Sequence, residues 1–440
     1  MWLLPHLSSL SAAAIRIYYR ASRDGETVPA AGPVLIVGNH PNSLLDPAFL
    51  SWAAGRPVRF LAKAPLFTNP LVGWLVRGSG SIPVYRKQDD PSLTAKNDET
   101  FRAVHEALAG GHAVALFPEG ISHSQPALAP LKTGAARIAL GAYGSVGRAF
   151  PIIPVGLFFR RKDRFRSEAH VTVGAPVGWE DLAARTADDQ EAVRELTARI
   201  DRAMRQVTLN LARWEDEPVV RTAEAIWSAS RDADNAPGAR VARFATAAGV
   251  LARLRTSGDE RWHDLAEDIG DHARVLRTLR MRPADLDVDT GISTAAKWAA
   301  RRLRLRTLLV VAFGALATVL FWVPYRLTGV LAAKWNEGRD TVSTWRVLIG
   351  AAVFLVWNTG AAFLVAWWSD WRFGLATFVA LPLTGVLGLR AVGDAQWTLI
   401  TVRRWLIVRS GDPRIADLRS RQHDLSRRID EALAAAEPTS

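Results

Sequence analysis

Short apolar runs of strand length recur along the first part of the chain, with amphipathic helical stretches between them. The runs are PVLIV (33–37), HAVALF (112–117), FPIIPVGLFF (150–159) and HVTVG (170–174). DETFRAVHEALAGG (98–111) is typical of the intervening helical pattern. Strands that alternate with helices predict an α/β domain with a largely parallel sheet flanked by helices. We place this domain at residues 25–180.

The pattern changes after this domain. Residues 181–300 show no further strand signal, and their charged, helical sequence predicts a helical region with a break at DADNAPGA (232–239). Residues 1–24, which lack the basic start of a signal peptide, predict an uncleaved helix that lies in a membrane interface. The alternative for this helix is an ordinary amphipathic helix that packs on its own domain.

Three long apolar runs follow at 307–325, 347–368 and 373–389, within a segment, 301–410, that we interpret as a membrane domain. The first two are long enough to cross the hydrocarbon core, which needs roughly 20 apolar residues. The third is shorter and contains Pro382. We therefore expect two full spans and a re-entrant or interfacial third segment, against the alternative of three spans. A cytoplasmic helical tail at 411–440 completes the chain.

Charge orients this membrane domain and narrows the choice of partners. Four arginines, Arg301, Arg302, Arg304 and Arg306, precede the first apolar run, so the positive-inside rule predicts an integral membrane protein with its α/β domain on the cytoplasmic face. The net charge of +12 indicates anionic partners. The 17 tryptophans favour a phospholipid membrane and no nucleic acid, because indoles gather at membrane interfaces and here concentrate in and beside the apolar runs.

The segment GNHPNSLLDP (38–47) carries the clearest chemistry. His40 precedes a proline and should lie extended at the carboxyl end of the PVLIV strand, the edge where α/β sites collect. Asp46, followed by Pro47, resembles the N-cap of a helix. A loop between them can fold back so that the carboxylate fixes the imidazole tautomer and leaves the other nitrogen as a general base. The alternative is that Asp46 only caps a helix and His40 only lies in a loop.

Other polar residues follow strand-like runs. Arg86 stands in GSIPVYRKQDD (80–90), and Glu119 and Lys132 stand in FPEGISHSQPALAPLK (117–132). A guanidinium matches phosphate geometry, whereas an isolated carboxylate in a turn is usually structural. The absence of cysteine excludes a thiol nucleophile and thiolate metal sites. We interpret the lone histidines His112 and His170 as surface residues, and the basic run FRRKDRFR (159–166) as either a headgroup contact or a solvated loop.

Taken together, these segments resemble the glycerophospholipid acyltransferase family over about residues 25–180. The family usually has four residues between its His and Asp, whereas HPNSLLD has five. A branch that includes the fungal-type glycerol-3-phosphate and dihydroxyacetone-phosphate acyltransferases shares this spacing. It also shares FPEG followed by a Ser-His pair, here Ser122 and His123. Most lysophosphatidic acid acyltransferases carry arginine where Ser122 stands, so the resemblance favours glycerol-3-phosphate as the acceptor.

The resemblance implies direct acyl transfer from acyl-CoA or acyl carrier protein to a glycerol hydroxyl, without an acyl-enzyme, a bound cofactor or a metal. His40 would be the base and Asp46 would orient it. Pro154 would lie on the acyl-donor side. The residues implied in binding the glycerol phosphate acceptor are Lys63, Arg86, Glu119, Gly120, Ser122, His123 and Lys132.

Two alternatives stay open. The first is acylation of lysophosphatidate or another lysophospholipid. The second is a non-catalytic membrane protein that binds lipid. The presence of His40, Asp46, Arg86 and Glu119 together argues against the second, because lipid binding alone needs no base.

Overall fold

The structure is a computed structural model in which two compact units are described. It describes all residues except 1, 71, 86–96, 232, 235, 258–259, 303–304, 336–337, 339–340 and 437–440. The first unit comprises Met1–Trp214, Ala236–Ala245 and Glu337–Thr344. The second comprises Glu215–Asn235, Thr246–Asn336 and Trp345–Ser440.

A seven-stranded sheet forms the centre of the first unit. Its strands are β1 (Arg20–Gly25), β2 (Val34–Gly38), β3 (Val58–Lys63), β4 (Ile82–Val84), β5 (Ala113–Leu116), β6 (Ile152–Phe159) and β7 (Glu168–Val173). They lie in the order β1-β7-β6-β2-β5-β3-β4. All neighbours pair in parallel except β6 and β7. The carboxyl ends of β2 to β6 therefore meet at one edge of the sheet, as the α/β prediction requires.

The four predicted strands are confirmed as β2, β5, β6 and β7. All five positions of β2 are buried, because this central parallel strand is covered on both faces. Three strands are not predicted. β1 has the polar sequence RASRDG and pairs in register with β7, so the sheet begins five residues before the expected domain boundary. β4 has only three residues, and β3 mixes charged with apolar positions.

Helices cover both faces of this sheet. They are α1 (Leu7–Tyr18), α2 (Leu45–Ala54), α3 (Pro65–Thr68), α4 (Gly73–Gly78), α5 (Asn97–Ala109), α6 (Gly134–Val146) and α7 (Gln190–Val207). The main core joins β2, β5 and β6 to the apolar stripes of α5, α6 and α7. α1 packs against α2 through the buried Ile15, while Leu10 and Ile17 on α1 stay exposed. One face of α1 thus packs on its own domain, as the alternative interpretation states.

Helices make up the second unit and the segment that leads into it. They are α8 (Glu217–Ala229), α9 (Pro237–Ser257), α10 (Glu260–Leu279), α11 (Ile292–Arg302), α12 (Leu305–Lys334), α13 (Val342–Trp368), α14 (Trp371–Arg409) and α15 (Pro413–Ala436). The predicted break at 232–239 coincides with the junction of α8 and α9, and its last three residues form the start of α9. An apolar cluster joins α8, α9 and α10 to α15, and it includes Ile226, Leu265, Leu425 and Ile429.

Three of these helices are long and apolar enough to cross a membrane: Leu309–Lys334, Val342–Trp368 and Trp371–Arg409. The third is longer than the expected short segment. α14 runs as one helix of 39 residues through Pro382 and past Arg390, where the apolar run ends. A proline is tolerated inside such a helix when local adjustments give the freed carbonyl another partner. The helix is therefore longer than the apolar run that predicts it.

We expect Gly156→Ala to destabilise the first unit. A β-carbon at Gly156 in β6 would lie 1.7 Å from the carbonyl oxygen of Val207, the last residue of α7. Overpacking of this kind costs roughly 1–3 kcal/mol. Thermal unfolding in detergent checks the loss. Gly144→Ala is the matched control, because its β-carbon would meet nothing within 4 Å and alanine favours the helix. A Gly156→Ala protein as stable as this control would contradict the close packing of α7 on β6.

Candidate active site

His40 and Asp46 come together because the chain turns sharply between β2 and α2. β2 ends at Gly38, and Ser43 has a φ of 49°, a left-handed conformation that is uncommon for serine. The prediction that Asp46 is the N-cap is wrong, since α2 begins at Leu45 with Leu44 at the N-cap. The left-handed turn at Ser43 lets the helix start earlier. It places Asp46 in the first helical turn, with its carboxylate directed to the imidazole instead of to the helix end.

The two side chains form a direct pair. Nδ1 of His40 lies 2.8 Å from Oδ2 of Asp46, and the backbone N–H of Asn42 donates to the same oxygen at 2.7 Å. Asp46 is fully buried, whereas the side chain of His40 is 20% exposed. Because Nδ1 faces the carboxylate, Nε2 is the nitrogen that can exchange protons with a bound molecule. The ring stacks on Phe117, with centroids 3.9 Å apart.

Burial and hydrogen bonding act on Asp46 in opposite directions. Burial raises the pKa of Asp46 above its usual value, and the bonds from His40 and Asn42 offset only part of that rise. The ionised carboxylate therefore destabilises the fold at neutral pH. This cost in stability is consistent with a carboxylate whose negative charge is kept for its interaction with His40.

Glu119 follows β5 and acts as a brace for His40. Its Oε1 accepts a bond from the backbone N–H of His40 at 2.9 Å, and its Oε2 accepts one from Ala129 at 2.8 Å. Oε2 is also hydrogen-bonded to Nε2 of His123. Glu119 is only 3% exposed. Since both oxygens are engaged by the protein, the geometry suits a positioning role better than contact with an acceptor.

The loop from Phe117 to Lys132 lies against the His40 loop. The backbone N–H of His123 donates to the carbonyl of His40 at 3.1 Å, and that of Ser43 donates to Oγ of Ser122 at 3.1 Å. Gly120 has a φ of +74°, and a β-carbon there would lie 2.6 Å from Nζ of Lys132. Five of the predicted site residues, from Glu119 to Lys132, are thus joined to the His–Asp pair or to one another.

The remaining predicted residues are placed less directly. Lys63 is exposed at the end of β3, on the same sheet edge but separated from β2 by β5. Arg86 lies outside the described residues. Pro154 is buried in β6 opposite Val37, and its carbonyl accepts a bond from Gly174 at 2.8 Å. Pro154 therefore contributes to the packing of the central sheet.

Two features of the site are missed by the sequence analysis. Lys162, in the basic run after β6, donates from Nζ to the carbonyl of Pro41 at 2.5 Å and to Oγ of Ser124 at 2.6 Å. Asn39 bridges β2 to β6 through two bonds with the backbone of Leu157, at 2.7 and 3.1 Å. The available signal was the position of each residue along the chain, because both follow strands whose carboxyl ends meet at this edge of the sheet.

The interpretation of His170 as a surface residue is wrong. His170 is 4% exposed, with Nδ1 2.8 Å from Oγ of Ser22 and Nε2 3.0 Å from Oδ1 of Asp24. Both partners lie on β1, the strand that the pattern does not predict. His112 is exposed, as expected. Within the described part of the chain, no three histidine, aspartate or glutamate side chains are grouped as a metal ion would require.

Comparison with known proteins gives a family match over the part of the chain that contains His40 and Glu119. Residues 20–157 match the family model described as Acyltransferase. The matched part of the chain holds both loops of the site.

The particular relatives act on glycerophosphates. The chain is 31% identical over 134 residues to glycerol-3-phosphate O-acyltransferase 2 of Saccharomyces cerevisiae, covering 30% of this chain and 18% of that protein. It is 30% identical over 149 residues to the chloroplastic 1-acyl-sn-glycerol-3-phosphate acyltransferase BAT2 of Brassica napus, covering 33% and 40%. The chain thus spans less than half the length of either relative.

Among solved structures, the chain is similar to the 1-acyl-sn-glycerophosphate acyltransferase PlsC from Thermotoga maritima. The alignment covers 47% of this chain and 78% of that one at 19% identity, with a TM-score of 0.35. This similarity is too low to carry an argument.

We expect Asp46→Asn to unfold at an equal or higher temperature than the parent at pH 7.5. The raised pKa means that the folded state binds this proton more tightly than the unfolded chain, so stability falls as pH rises through the folded pKa. Asparagine removes that cost and can still accept the bond from Asn42. Thermal unfolding of both proteins between pH 4 and 8 checks this, and the advantage of the variant should shrink at acidic pH. An advantage that grows on acidification would contradict the raised pKa.

Proposed function

We propose that this protein is a membrane-bound O-acyltransferase that moves a fatty acyl group from acyl-CoA, or from acyl carrier protein, to a hydroxyl of glycerol-3-phosphate. The observation that carries the proposal is the buried Asp46 carboxylate bonded to Nδ1 of a partly exposed His40 at the carboxyl edge of the sheet. The acyltransferase family match over residues 20–157 supports the same reaction class.

The pair suits transfer in one displacement. Nε2 of His40 takes the proton from the acceptor hydroxyl, and the oxygen attacks the thioester carbonyl to form a tetrahedral intermediate. The intermediate collapses by breaking its carbon–sulfur bond, and the proton held by His40 passes to the leaving thiolate. Asp46 stabilises the imidazolium that forms between these steps. No side chain is acylated, and the chain has no cysteine that could serve as a thiol nucleophile.

The acceptor phosphate needs cations and donors near this pair. Lys63 lies at the same sheet edge, and Lys132 lies against Gly120 in the loop that carries Glu119. We assign these lysines, with Arg86, Gly120, Ser122 and His123, to the acceptor side, and Pro154 to the acyl-donor side through its place in β6. Glu119 serves the acceptor indirectly by bracing the His40 loop.

Experiments can distinguish two alternatives to this function. The Brassica relative is named for 1-acyl-sn-glycerol-3-phosphate, so lysophosphatidate is the second candidate acceptor. The five-residue spacing of HPNSLLD and the Ser122–His123 pair favour glycerol-3-phosphate. A non-catalytic lipid-binding protein would not need the fully buried carboxylate that fixes His40, because that arrangement costs stability.

We further propose that two of the three apolar helices span the membrane. The number of crossings is then even, and both ends of the apolar region lie on the same side. α8 and α10 precede these helices, α15 follows them, and they share one apolar core. Arg428 of α15 pairs with Asp268 of α10 at 2.7 Å, and Nε1 of Trp227 donates to Asp430 at 3.1 Å. A hydrocarbon core roughly 30 Å thick cannot separate helices in such contact.

The charges at the two ends of the apolar region support the same orientation. Arginines at 301, 302, 304 and 306 precede the apolar run at 307–325, and Arg403, Arg404 and Arg409 stand at the end of α14. The positive-inside rule puts both ends in the cytoplasm. The catalytic domain would then face the cytoplasm, with α12 to α14 as the membrane anchor.

We expect purified protein in detergent to transfer labelled acyl groups from acyl-CoA to glycerol-3-phosphate. His40→Ala and Asp46→Asn should each lower the rate by roughly 10²–10⁴-fold, because each removes the general base or its tautomer control. Ser122→Ala should cost less than roughly 10-fold, since it removes one bond to a backbone N–H.

Lysophosphatidate is assayed in parallel to separate the acceptors. Product from lysophosphatidate alone would transfer the proposal to the second candidate. A His40→Ala protein with full activity would contradict the mechanism, and silence of the parent with both acceptors and both donor types would favour the lipid-binding alternative.

An even number of crossings predicts that both ends of the apolar region lie on the same side of the membrane. Cysteines introduced at exposed positions in the described parts of α11 and α15 into this cysteine-free chain should both resist a membrane-impermeant maleimide in intact cells and react after lysis. Labelling of the α15 site alone in intact cells would mean an odd number of crossings. A cysteine at Ser369, between α13 and α14, reports whether that connection is the external one.

A further inference from the structure

Lys162 joins the two loops of the site from a third direction. It stands between β6 and β7, 121 positions along the chain from Pro41. Its ammonium donates to the carbonyl of Pro41 at 2.5 Å and to Oγ of Ser124 at 2.6 Å. Pro41 directly follows His40, and Ser124 directly follows His123. The ammonium therefore joins the loop that carries His40 to the loop that carries Glu119.

The backbone around Lys162 is held in place, which distinguishes it from a mobile surface lysine. The buried Tyr19, 1% exposed, donates from its hydroxyl to the carbonyl of Lys162 at 2.6 Å. Nδ2 of the fully buried Asn42 donates to the same hydroxyl at 2.9 Å. The hydroxyl thus links the Lys162 loop to the turn between His40 and Asp46. Further along the loop, the backbone N–H of Arg166 donates to the carbonyl of Tyr18 at 2.6 Å.

The charged groups that face the His40–Asp46 pair come from three loops. The turn after β2 supplies the pair itself, the loop after β5 supplies Glu119 and His123, and the loop after β6 supplies Lys162. Asp46 and Glu119 are both carboxylates buried to within 3% of full burial. Lys162 brings a fixed positive charge to this acidic cluster, and it opposes the rise in the pKa of Asp46 that burial causes.

We propose that Lys162 is a positioning residue for acyl transfer. It fixes the Pro41 carbonyl, and with it the direction of the His40 ring, and its charge limits the tendency of the pair to take up a proton. This inference rests on the proposed function. It assigns to the β6–β7 loop a role in catalysis that contact with lipid headgroups would not require.

The test compares Lys162→Met, Lys162→Arg and Arg161→Met in the full-length protein. Arg161 is the matched control, because it is an exposed basic residue in the same loop. Lys162→Met should lower kcat by about 10²-fold, the usual effect of a small misplacement of a catalytic group, with the KM for the acceptor nearly unchanged. The acid limb of its pH–rate profile should move to higher pH, because loss of a nearby cation makes protonation of the pair easier. Lys162→Arg should restore the position of that limb, and Arg161→Met should match the parent.

A second measurement does not depend on activity. Diethyl pyrocarbonate modifies imidazoles, and the rate at which it modifies His40 at one fixed pH can be followed by peptide mass. The rate should rise in Lys162→Met, because the His40 loop is no longer held by the ammonium, and stay at the parental value in Lys162→Arg. If the parent transfers no acyl group, the proposed function fails, and this measurement still decides whether Lys162 acts on the pair.

Three results would overturn the inference. A Lys162→Met enzyme with parental kcat and pH profile would show that the contacts are incidental. A raised KM for the acceptor at unchanged kcat would make Lys162 a ligand of the acceptor phosphate instead. A His40 modification rate equal in Lys162→Met and the parent would show that Lys162 does not hold the His40 loop. Circular dichroism and a thermal midpoint within about 3 °C of the parent confirm that each variant is folded.

Discussion

A single buried contact, Nδ1 of His40 against Oδ2 of Asp46, organises the whole sheet edge. An isolated carboxylate with no exposed surface is expensive to ionise, so its surroundings must supply compensation. Asn42 donates a backbone N–H to the same oxygen, and Asp46 itself lies in the first turn of α2, where the helix dipole favours negative charge. The left-handed turn at Ser43 is the local distortion that brings these groups together.

Parallel topology explains why three distant segments can serve this contact. β2, β5 and β6 are neighbours and end at the same edge, so the chain leaves the sheet three times within one small region. The loop after β5 brings Glu119, which holds the backbone of His40, and the loop after β6 brings Lys162, which holds the carbonyl of Pro41. His40 is thus fixed on its ring nitrogen and on both sides of its backbone. A side chain held in this way spends little time in other orientations.

The sequence pattern predicts the parts of this arrangement that depend on local information. The strands β2, β5 and β6 are continuous apolar runs, β7 alternates polar and apolar residues, and His40 and Asp46 lie only six positions apart. β1 escapes prediction because its pairing with β7 stabilises a polar stretch that has no strand pattern of its own. The burial of His170 is missed for the same reason. The role of Lys162 is missed because its partners Ser124 and Pro41 lie 38 and 121 positions away, and no local pattern reports such contacts. The N-cap assignment of Asp46 shows the converse, since a residue typical of caps is used for a longer-range bond.

The core that α15 shares with α8 to α10 also orders the assembly of the chain. Synthesis proceeds from the amino end, so α8, α9 and α10 emerge before the three apolar helices, and Leu425, Ile429 and Ala432 of α15 come last. Until α14 and then α15 have been synthesised, Ile226, Leu265 and Ile269 lack the helix that covers them. The helical core is therefore completed only after the three apolar helices have been synthesised. A chain halted before α15 carries an uncovered apolar surface, the feature by which chaperones and proteases recognise unfinished proteins.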